Sequence, residues 1–305
     1  MEKLKWILID GLIHLKRGIP GRLRRDPGPL LVLPSMISVG FLAIGLAYLT
    51  SYSLFRFHPS KLIIYELTLE NYSKILCNPS YLRVFARTIW ISLSASTAAV
   101  TLGFFYAYLT VKVESPLARK LLLISLFIPF FSGDVIRVYG WLIIFGKNGL
   151  VSRLTQSLMG RSVDLIYTET AVLIGLTQVM IPVAVLMTAP ALTFVKRELE
   201  YAAQNLGADE LKTLRYVVLP LCRPGLIAAF LTTLTLSMTA YAEPDILGGG
   251  KTNFVANLMY TFMFNAADYP TSAALGVLLT SMISAVVFMF LKWSGLGTLM
   301  YTRRG

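Results

Sequence analysis

The chain has 305 residues, 55% of them hydrophobic and only 14% charged, with a formal net charge of +12. Soluble domains carry about 25% charged residues, so the composition argues against one and for a polytopic membrane protein whose basic residues sit at membrane boundaries rather than on nucleic acid. Two cysteines, Cys77 and Cys222, are too few for a disulfide framework or a typical zinc site.

The first apolar patch, WILIDGLIHL, is short, is interrupted by Asp10 and leads into KRG and RLRRD without a cleavage pattern. Leu4, Ile7, Leu8 and Leu15 share a helical face beside Lys3, Lys5, Lys16 and Arg17. Residues 1–29 therefore read as a basic cytoplasmic arm, either a surface helix or a disordered tail. About 20 apolar residues cross the hydrocarbon. Six runs qualify, at residues 30–54, 88–111, 121–145, 171–195, 226–244 and 272–291. The third is unusual because FSGDVIR lies inside it. Residues 30–295 form the membrane domain and 296–305 a cytoplasmic tail.

Lysine and arginine set the orientation. Most of the 28 basic residues fall in the N-terminal arm, the loop after span two, the loop after span four and the C-terminus. Both termini and the loop of residues 196–223 are therefore expected in the cytoplasm, and Cys77 and Cys222 on opposite sides.

That loop contains EYAAQNLGADELKTLRYVVLP. Leu199, Ala202, Ala203 and Leu206 keep helical spacing, and Gly207 interrupts it. Asp209 and Glu210 favour a second helix start, whose apolar face is Leu211, Leu214, Val217 and Val218, until Pro220 breaks it. Two short helices joined at a glycine are expected, presented to another surface or packed on their own bundle.

Asp134 and Arg137 are ionisable groups at membrane depth near Pro129 and Gly133. Such groups are costly in hydrocarbon and face a cavity or a partner. At i, i+3 they pair; with Trp141 at i+7 they share one face, and Tyr139 joins it only if Gly133 or Gly140 breaks the helix. Tyr241, Glu243 and Asp245 form a second acidic and aromatic group where span five ends. Aromatics beside acids suit a cationic amine, and interfacial anchoring explains them equally. In LGGGKT, Gly248 to Thr252 imitate half of a phosphate loop, but the first glycine position holds Asp245; the segment reads as a flexible external turn. His14 and His58 are isolated surface residues, and neither a metal site nor a catalytic grouping is expected.

The loop resembles the cytoplasmic loop of bacterial ABC importer permeases, E-A-A, three residues, G, nine residues, I, one residue, L-P. Ala202, Ala203, Gly207, Val217, Leu219 and Pro220 match, while Tyr201 stands at the glutamate position with Glu200 one place earlier. LTLENYSKIL, IPFFSGDVIRVYGWLIIFGKNGLVSRL and PDILGGGKTNFVANLMYTFM are similar to the spermidine/putrescine permease branch. The resemblance covers roughly residues 65–295 and implies an all-α membrane protein, the six-span fold of type I importer permeases, with a coupling-helix loop between spans four and five. Glu200, Tyr201, Ala202, Ala203, Gly207 and Pro220 then belong to ATPase coupling, and Asp134, Arg137, Tyr139, Trp141, Tyr241, Glu243 and Asp245 to the substrate path.

The implied function is one permease subunit in the bacterial inner membrane, supplying half a pathway and no enzyme activity or cofactor site of its own. ATP and magnesium belong to two copies of a separate ATPase. A second, related permease, an external solute-binding protein and membrane lipids complete the partners. A polyamine is the expected solute; an opine, amino acid or metal chelate permease is the alternative, ahead of a membrane-embedded enzyme or a secondary transporter.

Overall fold

The computed structural model describes residues 28–162 and 164–294. The basic arm up to residue 27, including its expected surface helix or tail, and the tail 296–305 lie outside the described residues.

The chain divides into two units. The first contains α1, Gly28–Ser53. It has polar residues within an apolar run, and it satisfies them on its own backbone: Ser38 Oγ donates to Pro34 O at 3.0 Å and Thr50 Oγ1 to Leu46 O at 2.8 Å. A segment crossing lipid needs this internal pairing.

The second unit opens with an antiparallel hairpin of β1, Phe55–His58, and β2, Leu62–Leu67. The hairpin is an addition to the all-helical expectation. Asn71, at the start of α2 (Glu70–Leu76), ties it down by donating to Ser53 O and Phe55 O at 2.9 and 2.8 Å. The long helix α3, Pro79–Lys112, follows, then α4, Pro116–Phe131, α5, Asp134–Phe145, and α6, Leu150–Met159. Next come α7, Glu169–Thr193, α8, Arg197–Asn205, and α9, Glu210–Thr213. A π-helical turn, Leu214–Val218, leads into α10, Leu219–Met238. The chain closes with α11, Ala242–Gly248, α12, Val255–Tyr260, a second π turn, Thr261–Asn265, and α13, Tyr269–Ser294.

Among the described residues five helices are long and apolar enough to cross a membrane, and six if the bent third segment counts as one span. That segment is not the single rod expected at 121–145: it bends by 99° at the junction of α4 and α5. Pro129 lacks the N–H that would continue the ladder, and Gly133 serves as the N-cap of α5.

At the centre, α3, α7 and α10 pack on one another. Ala95, Ala99, Gly103 and Ala107 recur at every fourth position of α3, and all three alanines are fully buried. Small residues let helices approach where no hydrophobic driving force distinguishes side chain from lipid. A Cβ on Gly103 would lie 2.8 Å from the Ala184 Cβ of α7, and one on Gly225 of α10 would lie 2.3 Å from the Ala191 Cβ. Apolar clusters occupy both ends of this trio: Ile91, Val138, Leu176, Leu247 and Phe254 at one end, and Phe104, Leu126, Leu192 and Val218 at the other.

Candidate functional site: the loop after α7 and the cavity at the broken helix

The loop after α7 folds as two short helices. Acids in the first turn of α8, Glu198 and Glu200, complement its dipole. At its end the Ala208 N–H donates to Ala203 O at 3.0 Å and the Gly207 N–H to Gln204 O at 2.9 Å. This is the paired closure of a Schellman cap, and Gly207 supplies its left-handed residue with φ +90°. Asp209 then caps α9, its Oδ1 accepting from the Lys212 N–H at 2.7 Å.

Pro220 does not break the second helix, contrary to the sequence-based expectation. It is the second residue of α10 and follows directly on a π-helical turn, so the helix passes through it. The preceding π turn, in which the Leu219 N–H reaches back to Leu214 O, absorbs the change of register. Residues 210–238 run on as one helix.

The face of Leu199, Ala202 and Leu206 is exposed, Leu206 at 90%, and Tyr201 is 56% exposed with Leu211 at 74%. Glu200 points the other way and is only 6% exposed. It pairs with Lys112 at the end of α3 and accepts from Tyr108 Oη at 3.4 Å. Arg197 donates to Glu114 at 3.1 Å and to Lys112 O at 3.2 Å. A polar cavity of about 300 Å³ lies among these groups. In the sequence Lys112 read only as a boundary charge. Lysine ending an apolar run was the signal, but its partner 88 positions away was invisible.

The second place is the break between α4 and α5. Arg137 Nη2 donates to Asp134 Oδ1, and its Nη1 donates to Pro129 O at 2.8 Å. Pro129 O belongs to the last turn of α4, where carbonyls lack helical partners. The pair therefore suits both dipoles, with the acid in the first turn of α5 and the guanidinium at the end of α4. Asp134 and Arg137 line a cavity of about 540 Å³ together with Tyr241 and Glu243. Thr239, Met180, Pro182 and Phe130 complete the polar and apolar walls.

Glu243 lies beyond the end of α10 and is 6% exposed. Burial pushes its carboxyl above the ordinary carboxylate range, Arg137 offsets part of that, and Asp134 adds to it. Burial likewise raises the Tyr241 phenol, with Asp245 adding to the effect.

The other expected path residues lie elsewhere. Trp141 donates to Gln178 Oε1 at 3.3 Å and stacks on Phe145, with ring centroids 4.9 Å apart. Tyr139 is exposed on another face of a helix that stays regular through Gly140. Asp245 is exposed outside the cavity lining, and Asn257 Nδ2 approaches it at 3.5 Å. LGGGKT is a pinned turn rather than a loose one. The Gly249 backbone at φ +54° lies against the Tyr167 ring, and Lys251 O accepts from Arg87, which also holds Glu169 at 2.8 Å. Among the described residues no group of three metal ligands occurs, around His58 or elsewhere, and His14 lies outside them.

A family model described as the binding-protein-dependent transport system inner membrane component matches residues 99–297. The chain is 29% identical over 231 residues to the spermidine/putrescine transport system permease protein PotB of Escherichia coli (strain K12), covering 75% of this chain and 83% of that protein. It is 29% identical over 239 residues to the PotB protein of Haemophilus influenzae, covering 76% and 82%. A bacterial ABC transporter involved in the import of the acidic polysaccharide alginate has a chain with TM-score 0.70 and 15% identity, covering 90% of this chain and 96% of that one. That likeness shows the fold, which is the type I importer permease fold. With about two thirds of its length inside the family match, this chain belongs to the binding-protein-dependent transport system inner membrane components, as a multi-pass permease of an ABC importer.

Proposed function

We propose that the chain supplies half of a translocation pathway for a small organic cation of the polyamine type, driven by separate ATPase subunits that bind ATP and magnesium. The relatives named for spermidine and putrescine support the solute class. The observation that carries it in this chain is the cavity at the broken helix. Arg137 is already engaged by Asp134 and Pro129 O, and among the described residues Glu243, a carboxyl beside Tyr241, stands in no ion pair. One or two carboxylates with aromatic and apolar walls receive an ammonium without trapping it.

In this reading α8 lies on the cytoplasmic side with both termini, and its exposed face, Tyr201, Ala202 and Leu206, meets the ATPase. A second permease, related or identical, supplies the other half of the path, and an external solute-binding protein delivers the solute. The test is uptake of radiolabelled spermidine into proteoliposomes holding the complete complex, with an opine and an amino acid as competitors. ATP-dependent spermidine uptake that Glu243→Gln slows is expected. Uptake of the opine instead, slowed by Arg137→Gln and indifferent to Glu243→Gln, would overturn the cationic reading.

A further inference from the structure

We infer that Lys112, Glu200 and Tyr108 form a joint that fastens α8 to the end of α3, so that the loop and the three central helices move as one body. The inference rests on the reading of α8 as the ATPase-facing element. The chain already connects α8 to α7 on one side, through residues 194–196, and to α9 and α10 on the other. No such direct link reaches α3, which ends at Lys112, 85 positions before α8 begins at Arg197. The link is made by side chains instead.

Glu200 turns away from the exposed face of α8 and pairs with Lys112 in the last turn of α3. Tyr108, one turn earlier, adds a hydrogen bond from its hydroxyl to the same carboxylate oxygen, and its ring lies 5.4 Å from the Lys112 ammonium. A second tie runs in parallel: Arg197 joins Glu114 just beyond α3 and caps the Lys112 carbonyl, one of the orphan acceptors at the helix end. The Glu200 side chain is 8% exposed and the Lys112 side chain 27%. A pair this far out of water resists screening by salt and is strongly disrupted when one partner is removed.

The arrangement has a further consequence for the docking face. The acid nearest the family's glutamate position is consumed inside the subunit, and Tyr201 stands outward in its place. The side of α8 that faces the ATPase is therefore mainly aromatic and aliphatic, and the acid it presents is the exposed Glu198, one turn before Tyr201 and Ala202, rather than the buried Glu200.

The test uses the complete complex in nanodiscs, with spin labels at Leu109→Cys on α3 and Asn205→Cys on α8 and the exposed Cys77 replaced by serine. The wild-type chain should give one narrow distance that is the same with and without a non-hydrolysable ATP analogue. Lys112→Met should broaden it and lower spermidine uptake per ATP hydrolysed by about tenfold, within the usual range of coupling between sites. The exchange of Lys112→Glu with Glu200→Lys should restore both. If Lys112→Met fails to fold, Lys112→Met with Glu200→Leu leaves no unpaired buried charge, and it should show the same broadening. A narrow distance with normal uptake per ATP in either variant would overturn the joint. A wild-type chain that retains no ATPase would overturn the coupling reading instead, and the distance measured on the chain alone still decides the joint.

Discussion

Gly207 shows how much one residue settles. Nothing lies within 4 Å of the place its Cβ would occupy, so space does not demand glycine there. Its φ of +90° does. An L side chain in that region costs about 1–2 kcal/mol, and the turn that sets α8 against α9 bears the cost. Gly207→Ala should therefore leave the spans intact and weaken ATPase retention by about fivefold or more, measured by titrating ATPase onto the immobilised permease. Glu243 gives a second test at this scale. Burial raises its folded pKa above the ordinary value of 4.5. A raised folded pKa means the stability contributed by the protonated form is complete below the ordinary value and lost as pH rises through the folded value. Thermal melts in detergent at increasing pH should show the wild type losing ground to Glu243→Gln, which stays neutral throughout. Parallel curves would show that burial does not raise this carboxyl. Asp134 was recognisable in the sequence as a charge at membrane depth, and Glu243 and Tyr241 as an acidic and aromatic group where span five ends. The roles of Lys112 and Tyr108 were not, because an ion pair across 88 positions has no local signature.

At the scale of elements, the spans were legible because apolar runs of this length have few other uses. Their ends were less so. α3 begins at Pro79, with Asn78 capping it through Ser80 N–H, nine positions before the apolar run at residue 88. The break in the third span was marked by Pro129 and Gly133, yet neither its 99° angle nor the bond from Arg137 back to Pro129 O has a signature in the residue types. The hairpin at residues 55–67 passed unread because its pairing is short and lies beside a long apolar helix. The two π turns cannot be read from residue type at all, since they record how the chain absorbs a register change near Pro220 and Asn265. Packing of α3 on α7 makes its own prediction. In Gly103→Val the new Cβ would meet Ala184 Cβ at 2.8 Å and the Val185 backbone at 3.3 Å. Overpacking of this kind costs about 1–3 kcal/mol, so the variant should melt lower in detergent, whereas Gly140→Ala, with open space around it, should melt like the wild type.

For the whole molecule, the turn at Lys251 and the loop helix α8 lie at opposite ends of α7, and the cavity at the broken helix lies beside its middle, at Met180 and Pro182. Glu169 at its start is held near Lys251, and α8 follows its last turn. Twenty-five residues at about 1.5 Å each give roughly the thickness of a bilayer. In spheroplasts carrying Cys77→Ser, an impermeant maleimide should label Lys251→Cys from outside and Leu206→Cys only after permeabilisation. The opposite pattern would invert the membrane orientation read from the basic residues. The fold and the family were visible in the loop motif and the apolar runs, and the solute class depends on the cavity at the break. The most direct measurement of the central claim is affinity purification of the tagged chain from native membranes, followed by an assay for magnesium-dependent ATP hydrolysis and identification of the retained proteins. The account predicts a stoichiometric ATP-binding-cassette ATPase, lost or much reduced when Tyr201 and Leu206 on the exposed face of α8 are both changed to aspartate. A chain that purifies intact without any ATPase, or one whose ATPase is indifferent to those two changes, would contradict it.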